Sequence, residues 1–64
     1  AEPPMPDDFA AVLHALYRGD RYWRDADPQL RKETLIWIAE TADPAARARR
    51  IVRALARVMD GSGR

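Results

Sequence analysis

The residues best suited to chemistry in this chain are five arginines in the run ARARRIVRALARV, residues 46–58, which contains no acid. Clustered guanidinium groups can bind phosphates, acidic proteins or an anionic membrane surface. Groups for catalysis are few, because the chain has no cysteine and a single histidine, His14. His14 falls on the polar side of its helix, where we expect it to be exposed and to serve neither as a base nor as a ligand. We therefore expect no enzyme activity, no metal site and no cofactor.

The acidic residues have a structural explanation. Asp7, Asp20, Asp27 and Asp43 each precede or open a predicted helix, where a carboxylate caps free amides or favours the helix dipole. We identify no carboxylate pair at catalytic spacing and no glycine-rich phosphate loop. With 64 residues and no disulfide, the chain must rely on tight helix packing for its stability.

Proline, aspartate and glycine residues mark the helix starts and stops and divide the chain into four predicted helices. Prolines predict an extended tail over residues 1–6, followed by a single helical domain over residues 7–60 and a flexible tail over residues 61–64. Helix one runs from Asp7 towards Gly19, and Asp20 caps a short second helix. Asp27-Pro28 and Asp43-Pro44 each place an N-cap before a proline and so start the third and fourth helices. The predicted fold is an all-α orthogonal bundle of three longer helices and one short helix.

Helical spacing predicts which side chains form the core. In helix one they are Phe9, Val12, Leu13, Leu16 and Tyr17. In the third helix they are Leu30, Thr34, Trp37, Ile38 and Thr41. In the last helix they are Ala48, Ile51, Val52, Leu55, Val58 and Met59. Leu35 and Ile36 lie off the buried face of the third helix, so Ile36 either marks a groove for a partner or contacts the second helix.

The arginines of the last helix divide into two groups on its helical wheel. Those predicted to face solvent, opposite the apolar stripe, are Arg49, Arg50, Arg53 and Arg57. Arg47 lies at the margin of the stripe, where its aliphatic stem can pack while its guanidinium reaches an acid or a helix C-terminus. We interpret Arg47 as a structural arginine. The other four, with Ile36, form the candidate surface for a partner.

Several occupants of the arginine face remain open. The face can be a solvated helix side, a site for an acidic protein, or a site for nucleic-acid phosphates whose affinity falls steeply with salt. The apolar stripe is assigned to the core, which disfavours a membrane-surface role. A helix-turn-helix is also disfavoured, because residues 45–58 contain no Asn, Gln, Ser or Thr to read bases.

Charge is unevenly distributed along the chain. Residues 1–43 hold five Lys/Arg against nine Asp/Glu, a balance of −4, whereas residues 44–64 hold six Arg against one Asp, a balance of +5. The two parts should attract each other within the fold. This internal attraction competes with a charged partner as the explanation for the arginine face.

An ordered set of motifs over residues 5–61 resembles a known family. The segments are MPDDF at residues 5–9, Trp23 followed by Asp27-Pro28, RKE before Trp37-Ile38, and RARRI at residues 47–51. Together they resemble the YdeI/OmpD-associated family, also labelled bacteriocin-protection proteins. The resemblance implies a small helical bacterial module, often at the C-terminus of a longer protein, with no catalytic residues to transfer. It also implies that Arg47 or Arg50 bonds an acid or a helix end.

From these observations the sequence favours a non-catalytic helical interaction module with a protein partner that it does not identify. The alternative is sequence-nonspecific nucleic-acid binding through the arginine face, and a third possibility is an accessory domain to an enzyme. The longest apolar run, LIWIA at residues 35–39, is too short for a bilayer span, and the N-terminus does not resemble a signal peptide. We expect no membrane insertion and a location in the bacterial cytoplasm. Oligomeric state is left open.

Overall fold

The computed structural model describes residues 3–62, which form four helices and contain no strand. Helix α1 spans Asp7–Ala15, α2 spans Gly19–Asp25, α3 spans Pro28–Ala39 and α4 spans Pro44–Ser62. The prediction of an all-α bundle is therefore confirmed. The pairs that pack most extensively are α3 with α4, α1 with α2, and α2 with α4.

The two Asp-Pro pairs begin α3 and α4 as predicted. The Asp27 carboxylate accepts a hydrogen bond from the amide of Gln29 at 2.7 Å, and the Asp43 carboxylate accepts one from the amide of Ala46 at 2.9 Å. Each carboxylate thus satisfies an N–H that the first helical turn leaves without a backbone acceptor. The proline after each aspartate occupies the first helical position, where its missing N–H costs nothing.

The turn between α1 and α2 comes earlier than the sequence predicted. α1 ends at Ala15, and Arg18 then adopts a left-handed conformation with φ of 61°. Gly19 is the first residue of α2 instead of the stop of α1, and it lies against the carbonyl of Leu13, where a Cβ atom would come within 2.0 Å of the oxygen. The glycine is required for this close approach, so the steric constraint sets the position of the turn.

Two side chains near this turn differ from their predicted roles. Asp20 lies inside α2 and does not cap it; its carboxylate is 2.8 Å from Nδ1 of His14. Tyr17, expected in the core, is 78% exposed. Because α1 ends before Tyr17, helical periodicity does not apply to it, and its ring lies 5.1 Å from the Arg18 guanidinium carbon.

The core is built from α1, α3 and α4, with α2 covering one side. Its central buried side chains are Phe9, Leu13, Leu35, Ile38, Ile51 and Ala54. Trp23 of α2 packs edge-on against Phe9 with ring centroids 5.3 Å apart. Leu35, predicted to lie off the core face, is buried, whereas Trp37 is only partly buried. The buried face of α3 is rotated from the prediction because α1 as well as α4 contributes side chains to the cluster around it.

The orientation of α4 also differs from the prediction. Ile51, Ala54 and Val58 are buried, whereas Val52 is 66% exposed and Met59 38% exposed. Ala48, also expected in the core, is exposed. With about 100° between successive residues, this pattern means that the inward face is rotated by roughly 60° from the predicted stripe. One edge of that apolar stripe is therefore left in contact with solvent, contrary to the expectation that all of it was buried.

The C-terminal end of α4 lies further along the chain than predicted. Gly61 was expected to stop the helix, but α4 continues through it to Ser62. A Cβ atom at Gly61 would lie 2.8 Å from Cδ2 of Leu30, so the absence of a side chain lets the last turn pass close to α3. The rest of the predicted tail, residues 63–64, lies outside the described residues, as do residues 1–2 of the predicted N-terminal tail.

Candidate functional site

Arg47 joins three helices at one end of the bundle. Its Nε and Nη2 donate to the two carboxylate oxygens of Asp8, at 2.6 and 3.1 Å. Its Nη1 donates to the carbonyls of Ile38 and Thr41, at 3.1 and 3.4 Å. The expectation that this guanidinium reaches an acid or a helix C-terminus is confirmed, since it reaches both. Carbonyls at a helix end lack intrahelical donors and carry partial negative charge, so a cation is favourable there.

The Arg47 hydrogen bonds hold the pKa of Asp8 below its usual value, and they raise the pKa of Arg47 in return. Since the folded pKa of Asp8 is the lower one, its pair stabilises the fold at pH values above the unfolded pKa of about 3.9. The contribution is lost as the pH falls through the folded pKa. We therefore predict that the stability difference between the wild type and Asp8→Asn shrinks below about pH 4.

Thermal denaturation followed by circular dichroism across acidic pH tests this prediction. Asp7→Asn is the matched control, because Asp7 is an exposed carboxylate in the same first turn of α1. A constant difference between wild type and Asp8→Asn down to about pH 2 would mean that the pair does not contribute to stability in this way.

Two of the four arginines predicted to face solvent, Arg50 and Arg57, contact Trp37; Arg57 is nevertheless exposed, as predicted. Arg50 donates to the Trp37 carbonyl at 2.6 Å, lies 3.4 Å from a Glu40 carboxylate oxygen, and its guanidinium carbon is 5.1 Å from the Trp37 ring centroid. The guanidinium carbon of Arg57 is 5.6 Å from the same ring. Arg50, predicted to face solvent, has a side chain that is only 31% exposed and that binds the end of α3. This edge of α4 thus contacts α3 through two cation–π interactions and one hydrogen bond to a carbonyl.

Arg49 and Arg53 remain on the surface as predicted. Both side chains are exposed, and neither forms a hydrogen bond or ion pair to another residue within 3–62. They are one helical turn apart on α4. Of the four arginines of the predicted surface, these two are therefore the ones whose charges are not already used inside the fold.

An apolar groove runs between α1 and α4, beside these two arginines. It has a volume of about 470 Å³, and its lining residues are Asp8, Val12, Ala42, Pro44, Arg47, Ala48, Ile51 and Val52. A second depression of about 320 Å³ continues it across α4 and is lined by Ala48, Arg49, Val52 and Arg53. The groove therefore has an aliphatic floor, the Asp8–Arg47 pair at one end and free guanidinium groups along its outer side. We call these two depressions together the α1/α4 groove.

Sequence reasoning missed this groove because it assigned Ala48 and Val52 to the core. The apolar stripe on α4 gave no signal of it, because a width of about 120° is ordinary for a helix that packs on a core. Val12 was also expected in the core and is only partly buried. The buried face of α4 lies closer to Trp37 than predicted, and Ala48 and Val52 therefore line the groove instead of the core.

Ile36 is exposed, as predicted, but it is separate from the groove. It is 43% exposed and lies on the side of α3 opposite the buried Ile38. It lines neither depression of the α1/α4 groove. Ile36 is therefore separate from the arginines of the predicted surface. Arg49, Arg50 and Arg53 line a further depression of about 340 Å³ together with Trp37 and Ala46, and Arg57 lies against the same Trp37 ring.

The remaining polar groups form no metal cluster within residues 3–62: no three His, Asp or Glu side chains there come together closely enough to share an ion. His14 is 71% exposed and is paired with Asp20. Among the described helices, none combines the length and apolar character needed to cross a membrane.

Nearly the whole chain matches one known protein family. A family model described as "Bacteriocin-protection, YdeI or OmpD-Associated" matches residues 2–61. The chain belongs to this family. No curated protein and no solved structure matches the chain. In this YdeI/OmpD-associated domain, Arg47 and Arg50, which belong to one of the motifs that carry the resemblance, both bond carbonyls at the C-terminal end of α3. The implied contact with an acid or a helix end is present for both.

Proposed function

We propose that this YdeI/OmpD-associated domain is a non-catalytic interaction module, and that the α1/α4 groove is its contact surface for a protein partner. The observation that carries the proposal is Val52, an aliphatic side chain that is 66% exposed and lines both depressions of the apolar groove. Isolated apolar residues on a surface are ordinary, but a contiguous apolar depression is typical of a binding surface. The family description suggests bacteriocin protection in bacteria as the setting for this interaction.

Nonspecific nucleic-acid binding is the alternative, and the exposed pair Arg49 and Arg53 is what favours it. Two observations rank it second. Arg50 and Arg57 contact Trp37, which reduces the basic surface available to a phosphate backbone. On one side the two free arginines border an aliphatic depression, from which phosphate contacts gain nothing, and on the other side they line a more polar depression with Arg50 and Trp37.

We predict that Val52→Asp abolishes partner binding while leaving the fold nearly intact. A charged side chain in the groove would have to be desolvated by an apolar partner, whereas in the free domain it remains in water. The immobilised domain would capture partners from a bacterial lysate, and a captured protein would then be purified and titrated against each variant by calorimetry. We expect at least a tenfold loss of affinity for Val52→Asp and a melting temperature within a few degrees of the wild type.

Ala56→Asp is the matched control, because it adds the same charge at an exposed position of α4 that does not line the groove. Ile36→Asp is the second comparison. Should Ile36→Asp abolish binding while Val52→Asp has no effect, the contact surface is the outer side of α3 and not the groove. If neither change affects any captured protein, the interaction proposal at these surfaces is wrong.

A further inference from the structure

We infer that the occupant of the α1/α4 groove is an amphipathic acidic helix of the partner protein, with aliphatic side chains on the groove floor and carboxylates against Arg49 and Arg53. This inference rests on the proposed function and adds the chemical class of the partner. The charges around the groove, the spacing of the two arginines and the shape of the apolar floor each support it.

The charges around the groove do not cancel. Its lining contains one acid and three arginines, Asp8 against Arg47, Arg49 and Arg53. Asp8 and Arg47 neutralise each other through two hydrogen bonds. Arg49 and Arg53 are left with no acid partner within residues 3–62. A partner segment lying in the groove therefore meets two uncompensated positive charges on one side, which selects for carboxylates at its edge.

The spacing of the arginines suits a helical partner. Arg49 and Arg53 are four residues apart, which is about 6 Å along the helix axis. Two glutamates four residues apart on a partner helix have the same separation and lie on one face. The apolar floor from Pro44 through Ala48 to Val52 is about 12 Å long on α4. A helix of about three turns, with aliphatic residues at i, i+3, i+4 and i+7, would cover this floor in the helix-in-groove mode.

Other occupants fit the surface less well. A second copy docked by two-fold symmetry around Val52 would bring Arg49 and Arg53 of both copies together around one small apolar strip. Binding to an anionic bilayer would require the domain to insert bulky aromatic or leucine side chains into it, whereas the exposed floor here offers alanine and valine. The experiment below includes a second copy and an anionic bilayer as competing occupants of the groove.

The experiment titrates ¹⁵N-labelled domain with two synthetic peptides of about twelve residues. Both carry leucines at i, i+3, i+4 and i+7; one has glutamates at the flanking positions and the other has lysines there. We expect the glutamate peptide to shift the amides of Val12, Ala48 and Val52, and the lysine peptide to bind at least about tenfold more weakly. The double variant Arg49→Glu/Arg53→Glu is expected to reverse this preference. Arg50 and Arg57 stay unchanged in that variant, so the Trp37 contacts that hold α4 are kept.

Several results would overturn the inference. Equal binding of the two peptides would show that the groove selects apolar residues without regard to charge. Stronger shifts of the same amides by a short DNA duplex, or by vesicles containing anionic lipid, would assign the surface to nucleic acid or to a membrane. Concentration-dependent shifts of the domain alone at these amides would assign it to a second copy.

Failure of this inference is distinguishable from failure of the proposed function. If neither peptide binds but Val52→Asp still abolishes binding of a captured protein, the groove is a contact surface and its occupant is not an acidic helix. If Val52→Asp has no effect on any captured protein while the glutamate peptide binds with the expected preference, the groove has the chemistry described here but the captured partners use another surface.

Discussion

Replacing Gly19 with alanine is expected to remove most of the stability of the domain. The added Cβ atom would lie 2.0 Å from the carbonyl oxygen of Leu13 and 2.9 Å from its carbonyl carbon. Both are backbone atoms of α1, so no side-chain rotation relieves the overlap and α1 and α2 must move apart. We expect a loss of about 3 kcal/mol or more in the free energy of unfolding. A domain of this length has roughly 3–5 kcal/mol in total.

Gly61→Ala is the matched control for this prediction. Its Cβ atom would meet only Cδ2 of Leu30, the end of a flexible side chain, at 2.8 Å. Because Gly61 lies within α4, the gain in helix propensity, up to about 1 kcal/mol, offsets the adjustment. Chemical denaturation of both variants measures the two free energies of unfolding. A Gly19→Ala protein as stable as Gly61→Ala would mean that α1 and α2 do not approach as closely as described.

Arg47→Ala is expected to produce the second large loss of stability. The change leaves the carbonyls of Ile38 and Thr41 without this donor and removes both hydrogen bonds to the Asp8 carboxylate. The Arg47 side chain is 25% exposed, so water replaces these partners only in part. We expect the melting temperature to fall by roughly 10 °C, measured by circular dichroism at neutral pH.

Arg53→Ala is the control for Arg47→Ala, because it removes the same side chain from the same helix at a position with no partner within residues 3–62. Its melting temperature should stay within about 2 °C of the wild type. Arg47→Lys should restore little of the loss, since an ammonium group cannot donate to a carboxylate and two carbonyls with the planar geometry of a guanidinium. Equal, small effects for Arg47→Ala and Arg53→Ala would remove the structural role assigned to Arg47.

The parts of the fold predictable from sequence were those set by short-range chemistry. The Asp-Pro pairs at residues 27–28 and 43–44 start helices wherever the rest of the chain lies, because the cap and the proline act on their own turn. The family resemblance likewise depended on local motifs, and the family match over residues 2–61 bears it out. The turn at Gly19 was harder to place, because its position depends on the contact with Leu13.

The parts that were not predictable depend on which neighbours cover each helix. Arg50 and Arg53 have the same side chain and lie about 60° apart on the helical wheel, yet Arg50 binds the Trp37 carbonyl and Arg53 faces solvent. Which of the two meets Trp37 depends on the position of α3. The exposure of Val52 has the same origin, since the apolar stripe of α4 is wider than the area its neighbours cover. The surface predicted from the sequence and the α1/α4 groove therefore share α4 but are centred on different edges of it.

The two tryptophans give the domain a pair of built-in spectroscopic reporters. Trp23 packs edge-on against Phe9 and senses the interior shared by α1 and α2. Trp37 lies beside the guanidinium groups of Arg50 and Arg57 and senses the seam between α3 and α4. A protein that keeps one indole and carries phenylalanine at the other position would emit from a single known location. Fluorescence can then follow the opening of the two halves of the bundle separately.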